Sequence, residues 1–436
     1  MNFKFKNKSG ITLIALIITI IVMLILVAVS ISVALNTGLF KSASDATKNW
    51  KSAQDAEANV GSEIKIGDKT YSSIEEYIED TKPLPEIKAG EKASETSKYQ
   101  TAVIPKGFTV SNATGEKDVS TGLVIYDIPE NELGNVKWDG TEKTKYNQFV
   151  WIPVEVNKTT EPKDTETSIA SFYRSKWSSN ARTTVVDSKY TEPNTTNDTN
   201  DKTGIASQIE NLTKSIYQYG GFYIGRYEAG SVDERTSSTT GVTTLGIKQD
   251  MYPYNYVKWG ESMSNIGEVG AVALSNSLYN SMEPNYGATS MLCTGACWDS
   301  MLDFIKNTKN VTSSANWGNY SDAEFDITRG KYAVYLYSNG TLGNFQNVNN
   351  KYPKAKNTFV LLTTGATERN SAKNIYDVAG NCYEWTTESY SSGSRVGRGG
   401  YYFCNSSGFP AYFRNDYDPT VSYGYIGFRV SLYVNL

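Results

Sequence analysis

Residues 375–386 read IYDVAGNCYEWT, and the fold of the larger part of the chain turns on how this stretch is placed. Gly380 and Asn381 stand where a turn needs positive φ, which Gly takes freely and Asn tolerates. After them Tyr383 and Trp385 alternate with Cys382 and Glu384, the pattern of a strand with one buried face. The stretch also gathers oxygen donors. The carboxylates of Asp377 and Glu384 flank the main-chain carbonyls of Gly380 and Cys382, a hard-donor set that suits Ca²⁺. Glu384 has a plainer alternative, an ion pair with an arginine.

On either side lie short apolar runs: TAVIPKGFTV (101–110), GLVIYDI (122–128), QFVWIPV (148–154), GGFYIGRYE (220–228), KYAVYLY (331–337) and NTFVLLTT (357–364). Gly, Asn, Ser and Thr turns separate them, so each predicts a strand. One clear helix is predicted over 294–306, TGACWDSMLDFIK, with Ala296, Trp298, Met301, Leu302 and Ile305 at helical spacing. The tract 157–204 is rich in Thr, Ser, Asn, Lys and Asp and predicts an exposed polar insertion. Near the end, Arg398-Gly399-Gly400 lets a strand pass close to other backbone, and Arg429 is free to pair with a carboxylate. Trp385 and Phe428 are expected in the core.

Composition removes several functions. The 436 residues carry 42 Lys+Arg against 46 Asp+Glu, so the basic footprint of a nucleic-acid binder is missing and no nucleic-acid partner is expected. Histidine is absent from the sequence, which eliminates Ser-His-Asp and Cys-His nucleophiles and every His-ligated metal site. Four cysteines in this length make no disulfide scaffold. Cys293 and Cys297 stay packed thiols or join in a disulfide. With 35 Gly and 31 Tyr, the bulk reads as a loop-rich, strand-containing surface protein.

Four passages follow in order: FVWIPV (149–154), GGFYIGRYEAG (220–230), IYDVAGNCYEWT (375–386), and RGGYYF ending in GFRVSL (398–432). Together they resemble the formylglycine-generating-enzyme/sulfatase-modifying family over 101–436, and TGACWDSML falls where that family has its "T-E-A-E-W" helix. The resemblance implies an α+β, C-type-lectin-like domain of short strands, few helices and long loops. It also implies structural calcium, held by the side chains of Asp377 and Glu384 and the carbonyls of Gly380 and Cys382. Family members often carry Asn where this chain has Asp377.

The enzymes of that family oxidise a target cysteine with two cysteines that hold copper, the second five positions after the first. Here Cys404 stands at the first place and Phe409 at the second. One thiolate cannot give Cu(I) its linear two-sulfur geometry. The expectation is therefore no catalytic residue and no enzyme. A divergent oxidoreductase using Cys404 is one rival.

Between the RGG and GFR landmarks, residues 401–427 read YYFCNSSGFPAYFRNDYDPTVSYGYIG. Nine of these 27 are Tyr or Phe, and Lys, Glu, Gln, Met, Trp and His are absent. Tyr, Ser, Gly and Asn are the residues of antibody paratopes, rigid amphipathic rings among small hydrogen-bonding groups. The set also resembles the variable region of diversity-generating-retroelement target proteins, in which adenine mutation of AAC or AAT codons yields this repertoire. An ordinary Tyr-rich strand-and-loop tail is the alternative. On either reading Tyr401, Tyr402, Phe403, Asn405, Tyr412, Phe413, Asn415, Asp416, Tyr417, Tyr423 and Tyr425 are the candidate ligand-binding residues, for an extracellular protein or glycan.

The N-terminus is a separate problem. MNFKFKNKSG is followed by 25 uncharged residues, 11–35, long enough to span a bilayer as a helix. Lys4, Lys6 and Lys8 keep that end cytoplasmic and send the C-terminal mass outward. Basic residues, then Ser9-Gly10, then an unbroken apolar helix resemble the prepilin leader of type IV pilins. This implies cutting after Gly10 by a membrane prepilin peptidase, methylation of Ile11, and other pilin subunits as partners. Ala15 stands where that family usually has glutamate, which puts filament assembly in doubt. The predicted organisation is leader, transmembrane helix and stalk over 1–60, linker over 61–100, and the lectin-like domain over 101–436. The expected place is the cell membrane, single-pass with an extracellular C-terminal domain, or a surface pilus. A structural minor pilin without a ligand is the second rival.

Overall fold

The computed structural model describes residues 16–25, 64–66, 69–71, 102–156, 172–193, 203–237, 243–279, 286–336, 338, 340–390 and 393–436. The chain divides into two compact units, Met1–Pro83 and Leu84–Leu436. In the first unit residues 16–25 are helical. Ile64–Ile66 pairs antiparallel with Lys69–Tyr71. Among the described residues no helix is long and apolar enough to cross a membrane. Gly10, Ile11, most of the predicted span, the stalk and the stretch 82–98 lie outside the described residues.

The larger unit has few helices and many short strands. Six of the strands form one antiparallel sheet: β1 (Thr109–Val110), β2 (Val124–Tyr126), β3 (Gln148–Pro153), β4 (Gly221–Gly225), β5 (Ala288–Leu292) and a C-terminal strand, Val430–Val434, here β10. Their order is β5-β10-β4-β3-β2-β1, so the C-terminal strand lies between β5 at the edge and β4. Phe149 to Pro153 face Gly225 to Gly221, and Ala288 to Leu292 face Val434 to Val430. The apolar runs seen in the sequence form these strands because the sheet is buried: β2 is buried throughout, as are β4, β5 and β10.

Three helices support it. α1 (Ile205–Tyr219) lies against β4 and β10, with Ile205, Ile209, Leu212 and Ile216 buried at helical spacing. α2 (Ala271–Leu278) packs on β5. α3 (Gly295–Ile305) is the helix predicted over 294–306; its Thr294 side chain accepts the Cys297 N–H at 3.0 Å as an N-cap.

A second sheet holds β6 (Tyr383–Tyr390), β7 (Ser394–Arg398), β8 (Arg414–Tyr417) and β9 (Ile426–Phe428), in the order β8-β7-β6-β9. β6 and β9 run parallel; β6–β7 and β7–β8 are antiparallel. Arg429, between β9 and β10, joins the two sheets. The turn before β6 has the predicted geometry, Gly380 at φ 74° and Asn381 at φ 62°. The strand itself differs from expectation, being buried on both faces rather than one. On one side Trp385 donates to the Val257 carbonyl at 3.0 Å, while the Glu384 carboxylate meets Arg429.

Within the tract 157–204, residues 172–193 bury Phe172 and Trp177 and form a hairpin, Ser175–Ser178 with Ala181–Val185. Tyr190–Thr191 then pairs with the far end of β6. Two large rings among many small polar residues are enough to anchor it.

Candidate functional site

Residues 401–427 leave β7 and return through β9, so both ends are fixed by the second sheet. At the start, Gly399 and Gly400 have φ of 89° and 76°, and a Cβ on Gly400 would stand 2.4 Å from the Phe409 carbonyl oxygen. Only glycine permits this close approach of the returning backbone.

The surrounding domain grips the segment chiefly by its main chain. Ser321 donates from its amide and hydroxyl to the Cys404 carbonyl, at 2.9 and 2.8 Å. The Trp298 indole reaches the Ala411 carbonyl at 3.0 Å, and the Ala411 amide donates to Ser314 Oγ at 2.8 Å. Further along, the Trp259 amide holds Pro419 O, the Tyr256 amide Tyr423 O, the Asn255 side chain Gly424 O and the Tyr383 amide Tyr425 O. None of these contacts depends on which side chain the segment carries there. Side chains of the segment add to this grip: Ser406 is capped by Asp322, Asp416 accepts the Ser394 hydroxyl at 3.1 Å, and Arg414 enters a buried ion network.

That network is the segment's deepest anchor. Asp299 on α3 binds Arg398 at 2.7 Å and Arg414 at 2.6 Å; Glu388 on β6 binds Arg414 at 2.8 Å and Arg398 at 3.3 Å. Trp177 and the Ser175 amide also donate to Asp299. Burial alone would raise the Asp299 carboxyl, but the two guanidiniums outweigh it and hold the group at about 2.

On the outside the segment's rings form a continuous row. Phe359 stacks on Phe403 at 3.9 Å, Phe403 is aligned with Tyr401 at 6.4 Å, Tyr401 stacks on Tyr425 at 4.4 Å, and Tyr425 on Tyr423 at 5.1 Å. Tyr417 meets Tyr423 edge-on at 6.1 Å and rests on Trp385. Tyr423 is 42% exposed, whereas Tyr401, Phe403, Tyr417 and Tyr425 are half-buried. Asn405 and Asp416 are exposed; Asn415, half-buried, donates to the Tyr417 hydroxyl at 2.7 Å. Half-buried Tyr412 and Phe413 stand outside this row, Phe413 packing on Phe409. A cavity of about 350 Å³ opens beside Tyr423's neighbours, lined by Tyr256, Lys258, Thr420 and Ser422 among others.

Tyr402 is a correction. It is only 5% exposed and sits in a small core with Leu361 and Cys382, so it has no ring to offer a ligand. In the turn that follows β7, Tyr401 and Phe403 are half-buried and the residue between them faces in. Phe359 and Tyr335, which touches Phe403 at 5.2 Å, belong to the face but were not read as site residues. Their signal was present in the apolar runs 357–364 and 331–337: Phe359 directly precedes the buried strand Val360–Leu362, and Tyr335 lies in the partly buried strand Lys331–Leu336.

The expected calcium set is altered by Arg429. Its guanidinium binds both oxygens of Glu384, at 2.7 and 2.6 Å, with the pair fully buried. The alternative left open for Glu384, an ion pair with an arginine, is the one the structure forms. Asp377 accepts the Gly365 amide at 2.7 Å through one oxygen. Asn381 donates to Glu228, a third buried carboxylate that the sequence reading missed. Burial raises Asp377 to about 6 and Glu384 to about 7, against the pull of Arg429. Glu228 is pushed well above the carboxylate range by burial and by its two carboxylate neighbours.

All four cysteines are buried free thiols. Cys404 lies 3.8 Å from the Tyr383 hydroxyl, and burial pushes its thiol up to about 11. It is protonated at neutral pH, the unreactive form.

Residues 279–433 match the Sulfatase-modifying factor enzyme 1-like domain. The match takes in β5 to β10, the ion network and the whole of 401–427; the earlier motifs FVWIPV and GGFYIGRYEAG lie before it, in β3 and β4. Among solved structures the chain is similar to the crystal structure of CarF, at 16% identity over 49% of this chain and 87% of that one, with a TM-score of 0.29. It is also similar to Treponema denticola variable protein 1, at 16% identity over 49% and 84% of the two chains, with a TM-score of 0.26. No curated protein matches the chain.

Proposed function

We propose that the larger unit is a non-catalytic, C-type-lectin-like ligand-binding domain whose recognition segment is 401–427, displayed at the cell surface on a pilin-like membrane anchor. The observation that carries this reading is the division of labour within the segment. Framework donors hold its carbonyls, and its own aromatic rings line up on the outside. Such a segment tolerates exchange of its outward side chains, as a diversified recognition surface must.

The absence of catalysis is supported by chemistry at the family's thiol position. Cys404 is buried and protonated, and its would-be partner position is Phe409, which packs on Phe413. Calcium bound through Glu384 has no part in this reading, because Arg429 holds both of that residue's oxygens.

The test is an array of extracellular proteins and glycans probed with the wild-type chain and with Tyr417→Ala and Tyr423→Ala. Ligands bound by the wild type should be lost by both variants. A purely structural pilin has no binding to lose, and binding that survives both changes overturns the assignment of the face.

A further inference from the structure

Within the recognition segment, β8 is the outermost strand of its sheet. It pairs with β7 in unbroken register from Arg395↔Tyr417 to Arg398↔Arg414, and among the described residues no strand pairs with its other side. An edge strand presents main-chain N–H and C=O groups to whatever can align with them, and proteins usually blunt such edges with Lys, Pro or a bulge. β8 reads Arg-Asn-Asp-Tyr: it is a short strand of 4 residues with one inward-turned charge, and it carries no Lys, Pro or bulge that would block an added strand. Its one cation, Arg414, is drawn inward to Asp299 and Glu388. The exposed charge along the edge is therefore Asp416, with Asp418 just beyond it.

We propose that β8 receives an extended, Lys- or Arg-bearing peptide segment of the partner as an added strand. The inference rests on the reading of 401–427 as the recognition segment, and says how that segment engages its ligand. Strand addition draws affinity from main-chain hydrogen bonds and specificity from alternate side chains. The main-chain groups of 414–417 are the same whatever side chains stand there, so the docking mode survives diversification while specificity changes. Asn415 and Tyr417 share one face of β8, joined by a hydrogen bond, and Tyr417 leads directly to Tyr423. Alternate residues of an added strand would land beside these rings. The negative edge selects a basic partner, and it disfavours a second copy of this chain, which would bring another Asp416 and Asp418 to the same seam.

A library of peptides of roughly eight residues, a usual strand length, tests this against the full-length chain. Each peptide is made with a natural backbone and with every second amide N-methylated, in both phases. Bound peptides should be enriched in Lys and Arg, and N-methylation in one phase should weaken them about tenfold or more, the loss of two or three main-chain hydrogen bonds. Asp416→Lys should remove the preference for basic peptides. Equal binding of both backbones, no bound peptide, or a concentration-dependent dimer in sedimentation overturns the proposal. If Tyr417→Ala and Tyr423→Ala abolish binding of array ligands while N-methylation has no effect, added-strand docking fails and the recognition face stands. If those variants leave array binding intact, the face itself fails.

Discussion

Tyr423 and Trp385 are both large aromatic residues of the second sheet's neighbourhood, yet they carry opposite expectations. Tyr423 is 42% exposed at the end of the ring row, so Tyr423→Ser should change stability by only about 0.5 kcal/mol and still cost ligand affinity by about 2 kcal/mol, as central aromatic anchors do. Trp385 and Phe428 are fully buried, and either one changed to Ala should cost roughly 3–5 kcal/mol in denaturant unfolding. The buried ion network adds a pH signature. The Asp299 carboxyl is held at about 2, below its ordinary 3.8, so the folded state binds fewer protons than the unfolded state between these values. Its stabilisation is full above pH ~4 and is lost as pH falls through about 2. Asp299→Asn should flatten that acid limb, and it should lower stability at pH 7 by about 3–5 kcal/mol by leaving Arg398 and Arg414 short of a buried partner. An unchanged acid-unfolding curve would show the network to be misassigned. For Glu384, paired with Arg429, adding EDTA should leave the Tm unchanged, while Glu384→Gln should lower it; a wild-type Tm that falls on adding EDTA, with that sensitivity lost in Glu384→Gln, would restore a cation to that carboxylate.

At the level of elements, the strands were legible because burial on both faces leaves continuous apolar runs such as FVWI and FYI, which short Gly- and Asn-containing turns bracket. The helix α3 was legible from its spacing and its Thr294 cap. α1 was not read, although Ile205, Ile209, Leu212 and Ile216 recur correctly, because the preceding polar tract masked its start. The ring row was half legible. Composition singled out 401–427, but which rings face outward depends on a three-dimensional return path fixed by Gly399, Gly400 and carbonyl-directed bonds from Ser321, Trp298 and Asn255. Tyr402 fell on the wrong side of that path. The partner of Glu384 was undecided for a similar reason: Arg429 is 45 positions away and meets it only because β9 runs parallel to β6. Gly400→Ala should therefore destabilise the domain by more than 1 kcal/mol, since it combines positive φ with the Phe409 carbonyl contact, and thermal unfolding would detect it.

The proposed function makes two demands on the whole molecule: an N-terminal surface anchor, and a domain whose frame holds while its recognition residues vary. The anchor is tested at the N-terminus: protein from the native host should begin at a methylated Ile11, and Gly10→Val should leave the leader attached. The central claim concerns the frame. Its most direct test is a library of the full-length chain with Phe403, Asn405, Asn415, Asp416, Tyr423 and Tyr425 randomised together, sorted for protease resistance and then for ligand binding. Most variants should stay as protease-resistant as the wild type while their bound ligands diverge. If most lose protease resistance as Trp385→Ala does, the segment is part of the structural core and the claim is wrong.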